Sequence, residues 1–105
     1  MSLFAVVTEH LKRQENEAAL TAIKTASGGK LNGVLDNRRR IRAYMVGEDD
    51  TFYSDLSNRV VSCAVLVIPD GTFDQFENGK QYGELMNNYS TLNLRIDDAI
   101  IIVAC

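Results

Sequence analysis

Two segments of this chain are apolar at nearly every position, RVVSCAVLVI at 59–68 and AIIIVAC at 99–105. A strand with one wet face alternates apolar and polar residues, whereas an unbroken run of Val, Ile, Leu and Ala requires cover on both faces. Both runs must therefore be central strands of a sheet. Neither can cross a bilayer as a helix, and the first residues lack the basic stretch and apolar run of a signal peptide. The expected compartment is the cytoplasm, without membrane association. A length of 105 residues allows one domain, 1–105, and little spare helix to cover two such strands. A second copy of the chain is the expected source of the missing cover, which makes a homodimer or higher homo-oligomer the expected assembly.

Around these strands the pattern is mixed. LFAVVTEH at 3–10 reads as a strand, rich in β-branched and aromatic residues. QENEAALTAIKTASGG reads as a helix: Ala19, Ala22, Ile23 and Ala26 share a face, and Gly28–Gly29 supplies a left-handed stop. A competing pattern, using Phe4, Val7, Leu11, Ala18 and Ala22, makes residues 3–27 one long helix. RIRAYMV at 40–46 alternates, with Ile41, Ala43 and Met45 toward a core and Arg40, Arg42 and Tyr44 away from it. TFYSDLSN reads as a short strand. Residues 73–89 are divided between a helix carrying Tyr82, Leu85, Met86 and Tyr89 and a hairpin turning at ENGK. The expected class is α+β. A ferredoxin-like split β-α-β sandwich, with its first and last strands adjacent, is the favoured arrangement, and an N-terminal helix on a curled antiparallel sheet is the alternative.

The net charge of −3 conceals an asymmetry. Residues 1–47 carry eight basic against four acidic side chains, +4, and residues 48–105 carry three against ten, −7. Arg38, Arg39, Arg40 and Arg42 are the densest basic cluster. Strand periodicity turns Arg40 and Arg42 outward and leaves Arg38 and Arg39 at the start of the strand. Such side chains suit phosphates and would make binding depend steeply on salt; they also suit a charged edge that discourages strand pairing. No helix-turn-helix, zinc-finger spacing or RNA-binding aromatic strand accompanies them.

Catalytic signals are sparse. With His10 the lone histidine, a serine or cysteine triad has no second candidate base, and no phosphate loop or nucleophile elbow is present. If the first and last strands were neighbours, Glu9 and His10 would meet Asp97 and Asp98, a group able to hold a metal or move a proton. Glu48, Asp49 and Asp50 form a turn that clustered carboxylates could offer to a cation. A calcium-loop pattern from Asp70 fails, since Gln75 stands where glycine is required and Gln81 where glutamate is. Cys63 and Cys105 read as buried reduced thiols, too few for a disulfide framework. No cofactor is expected.

LFAVVTEHL, ENEAALTAIK and the closing DDAIIIV together resemble, over about a third of the chain, the small ferredoxin-fold proteins of CRISPR systems. That resemblance implies a dimer that holds or cuts nucleic acid. The family ends its first strand in an aspartate where this chain has Thr8, Glu9 and His10, so no residue role is carried over. The expected function is a small homo-oligomeric binding or regulatory module without catalytic activity. The alternatives are a binder of nucleic acid or another polyanion through residues 38–42, and a metal-dependent hydrolase or nuclease.

Overall fold

The computed structural model describes residues 2–105. Its four-stranded mixed sheet has the order β1-β2-β4-β3, with β1 Ile41–Met45, β2 Cys63–Pro69, β3 Thr91–Ile96 and β4 Ala99–Ala104. β1 runs parallel to β2, and β4 runs antiparallel to both β2 and β3. The two apolar runs are thus adjacent central strands, paired from Ala64↔Ala104 to Pro69↔Ala99. Every residue of β4 is buried, as is every residue of β2 except Pro69.

The cover for both faces comes from the chain itself. Helices α1 Leu3–Lys12, α2 Asn16–Ala26 and α3 Asn32–Leu35 pack Leu3, Val7, Leu20, Ile23, Leu31 and Leu35 against Met45, Val65, Val67, Ile101 and Val103. On the other face, α4 Phe52–Ser57, α5 Phe73–Glu77 and α6 Lys80–Asn88 pack against Tyr44, Leu66, Ile68, Ile100 and Ile102. Rings tie this layer together edge to face: Tyr44 to Phe52 at 6.1 Å, Phe52 to Phe76 at 6.0 Å and Phe76 to Tyr82 at 5.8 Å. Six short helices suffice: α2 buries Ala19, Leu20 and Ile23, and each of the others buries two residues or fewer. The need for a second subunit to complete the core disappears.

Several expected elements change. Residues 3–10 form a helix, since Ser2 caps it by accepting from the Ala5 N–H at 3.2 Å and the Leu3/Val7 spacing places both on the sheet. The long-helix alternative breaks at Gln14, whose φ of 60° reverses the chain into α2. TFYSDLSN is α4, with Phe52 and Leu56 four apart and buried. ENGK separates two helices, with Gly79 as the N-cap of α6. Tyr44 points into the second core and is 1% exposed. Helix thus replaces the expected first strand, and TLNLRI, not anticipated as a strand, pairs with β4. The class is α+β; the ferredoxin-like order is not confirmed, and the resemblance built on an N-terminal strand loses that strand.

The cysteines correct another expectation. One step beyond the Ala64↔Ala104 pair, Cys63 and Cys105 lie opposite one another with Cα atoms 4.3 Å apart, joined in a disulfide. That spacing belongs to the close pair positions of an antiparallel ladder. Among the described residues there is no free cysteine, and no helix is long and apolar enough to cross a membrane.

Candidate functional site

Parallel alignment of β1 and β2 brings the residues preceding the two strands to one end of the sheet. Arg38, Arg39 and Arg40 precede β1, and Arg59 lies four residues before β2. The Arg40 guanidinium donates to the Arg59 carbonyl at 2.7 Å, the Ser62 N–H donates to the Arg40 carbonyl at 3.0 Å, and the Ser62 hydroxyl donates to the Arg39 carbonyl. Arg40 and Arg59 both hold left-handed backbone, at φ 56° and 59°. Non-glycine residues adopt that region at a cost of about 1 kcal/mol or more, which the surrounding contacts must offset. All four arginines are exposed, and Arg38, Arg39 and Arg59 have no acidic partner among the described residues. Glu17 lines a shallow recess beside Arg38 and Arg40, and Asp36 there is held by Lys24 at 3.1 Å.

Arg42 leaves the cluster. It pairs with Asp49 at 3.6 Å and lies over the Tyr44 ring at 5.4 Å, on the way to the opposite end of the strand. That opposite end is acidic. β3 runs in the same direction as β1 and β2, so the turns that follow all three strands gather Glu48, Asp49, Asp50, Asp70, Asp97 and Asp98 there. Arg95 answers only Asp70, at 3.1 Å. The fold therefore keeps the charge asymmetry of the two halves of the chain as two poles.

The carboxylate–imidazole group expected at one sheet end is not assembled. Asp97 and Asp98 form the β3–β4 turn, and the Asp98 carboxylate accepts from the Phe4 N–H at 3.4 Å, at the first turn of α1. Glu9 and His10 lie about 7.5 Å further along that helix, where Glu9 pairs with Arg13 at 3.3 Å and His10 meets Glu15 at 3.0 Å. The juxtaposition required a first strand beside the last; a helix stands in its place. Among the described residues no three metal-ligating side chains come together.

Sequence reasoning missed a cleft of about 580 Å³ along the outer edge of β1. Thr8, Leu11 and Lys12 of α1 form one wall, Gln14 and Asn16 the end, and Glu48 and Asp49 the opposite end. Asn16 works there as a piece of strand. Its Nδ2 donates to the Ile41 carbonyl at 3.0 Å and its Oδ1 accepts from the Ala43 N–H at 2.8 Å. Asn16 was visible only as a polar residue near the start of a helix. Arg59 was missed because its approach to Arg40 depends on strand pairing. Behind the cleft, burial first and then the 2.7 Å hydrogen bond to Asp55 hold the Tyr44 phenol well above its usual range.

Comparison with protein-family models, with curated proteins and with solved structures finds no match to this chain.

Proposed function

We propose that the protein is a non-catalytic binding module whose arginine end holds the phosphate backbone of a nucleic acid. The observation that carries this is the gathering of Arg38, Arg39, Arg40 and Arg59 at one end of the sheet, none of them with an acidic partner among the described residues. Exposed guanidiniums suit phosphate oxygens as paired donors. The acidic opposite end repels the same polyanion and orients the module on it.

Four phosphate contacts set a log–log salt slope of about −3 on single strands and about −3.6 on duplex. Binding of a labelled oligonucleotide, followed by anisotropy, should then weaken roughly 50- to 150-fold between about 50 and 200 mM salt. The triple variant Arg38→Ala/Arg39→Ala/Arg59→Ala should keep the fold and flatten the slope to about −1. Absence of binding at low salt, or an unchanged slope in the variant, overturns the proposal.

Self-association is a second function that the charge layout favours, because the basic end of one copy complements the acidic end of the next. Such a head-to-tail contact is heterologous and does not close into a dimer by itself. Light scattering without oligonucleotide should show assemblies at low salt that dissociate at high salt; a salt-independent monomer excludes them. The Cys63–Cys105 bond bears on where the module works. Bonds of this kind persist in oxidising compartments, so the cytoplasmic setting expected from the lack of a signal-peptide pattern and of a membrane-spanning run requires the pair to be reduced there.

A further inference from the structure

The backbone along the edge of β1 is only partly used. Arg42, Tyr44 and Val46 turn their peptide groups toward β2, as the 3.1 Å bond from the Val46 N–H to the Val67 carbonyl shows. Ile41, Ala43 and Met45 turn theirs outward. Asn16 takes the Ile41 carbonyl and the Ala43 N–H, and the Met45 carbonyl accepts from the Glu48 and Asp49 N–H groups at 3.1 Å each. The Ala43 carbonyl and the Met45 N–H remain without a protein partner among the described residues. Both residues are buried, at 3% and 4% exposure, and both line the cleft. Buried backbone groups are almost always paired, so an open donor and acceptor facing a cavity point to something that enters it.

We infer that the cleft receives one residue of a short extended peptide, added to β1 as the next strand position after Asn16. A residue in extended conformation presents its N–H and C=O on the same side, at the spacing that the Ala43 carbonyl and Met45 N–H offer. Asn16 already imitates one such residue, so the peptide continues an edge that the protein itself has begun. The turn at Glu48 and Asp49 closes the other end, which limits the added segment to a few residues. Lys12 and Glu48 have no ionic partner among the described residues, and they flank this edge at its Asn16 end and its turn end respectively. The residue that donates to the Ala43 carbonyl and accepts from the Met45 N–H runs parallel to β1, which would set a free ammonium end beside Lys12 and a free carboxylate end beside Glu48, so the occupant is an internal segment of an extended chain without charged ends. The cleft volume of about 580 Å³ lies within the usual range for small-ligand sites. The site is separate from the arginine end and does not depend on the nucleic-acid proposal.

The test is amide-resolved NMR and hydrogen exchange on the whole protein, with trialanine acetylated at its N-terminus and amidated at its C-terminus as the probe. Without peptide, the Met45 amide should exchange faster than the Ala43 amide, which Asn16 holds. The blocked peptide, to about 10 mM, should shift and protect the Met45 amide. Free trialanine should bind roughly tenfold more weakly, the cost of two modest exposed like-charge contacts. Gln14 is exposed and makes no side-chain hydrogen bond, so Gln14→Trp should close the cleft without unfolding the protein and abolish the response. A Met45 amide already protected without peptide, or one indifferent to the blocked peptide, overturns the inference. So does equal binding of free trialanine, or an undiminished response in Gln14→Trp.

Discussion

Replacing Cys105 by serine removes the cross-strand bond while disturbing little else, because Cys105 is half-buried at the end of the ladder and Cys63 can remain as a small buried thiol. The bond joins residues 42 positions apart. Closing a loop of that length removes entropy from the unfolded chain equivalent to about 4 kcal/mol at room temperature. For a domain that is stable by only about 5–15 kcal/mol, this is a large share. In urea the midpoint should fall by about 2 M at a slope of roughly 2 kcal/mol per molar. The corresponding loss in Tm, for a chain of 105 residues, is roughly 15–20 °C. Reducing the wild-type protein should produce the same shift, and the reduced protein and the Cys105→Ser variant should then unfold together. A loss under about 1 kcal/mol contradicts the loop-entropy reasoning. Two thiols reacting with a chromogenic disulfide reagent in unfolded, unreduced protein would show that the bond is not made at all.

Other perturbations probe single contacts. Asn16→Ala strips two hydrogen bonds from the edge of β1 and should cost about 1–3 kcal/mol in urea unfolding; an unchanged midpoint would mean that water replaces the side chain fully. Tyr44→Phe leaves Asp55 without its phenolic donor and should cost roughly 1–3 kcal/mol at neutral pH. The raised pKa of Tyr44 gives a pH signature as well. A group whose pKa is higher in the folded state contributes stability that is present below its unfolded value, about 10 for tyrosine, and lost as pH rises beyond it. Relative to Tyr44→Phe, the wild type should lose about 1.4 kcal/mol per pH unit above ~10, and parallel curves would refute the assignment. Asp98→Asn weakens a carboxylate at the first turn of α1 and should cost about 0.3–1 kcal/mol, read as a small shift in the same midpoint.

Much of the sheet was legible because its signal is local. Continuous apolar runs have one physical solution in water, burial on both faces, and both runs became central strands. The α2 helix was legible from its spacing and its glycine stop. The failures share a cause. LFAVVTEH and TFYSDLSN contain β-formers, but these short segments take their structure from what covers the sheet, and Ser2 capping with i, i+4 pairs at Leu3/Val7 and Phe52/Leu56 outweighs intrinsic preference. The same applies to the proposed site. The arginines stood out by composition, whereas Arg59, Asn16 and the separation of Glu9 and His10 from Asp97 and Asp98 depend on neighbours distant along the chain.

From the amino-acid pattern alone follow the two buried strands, the α+β class, a helix within residues 14–29 and a chain charged oppositely in its two halves. Only the tertiary structure decided that the chain covers both faces by itself, that β1 lies parallel to β2, and that Cys63 faces Cys105. Hydrophobic periodicity reports whether a residue is buried and says nothing of what lies opposite it. Register and strand order are set by non-local pairing, and it is this pairing that gathers the arginines at one end of the sheet and the carboxylates at the other.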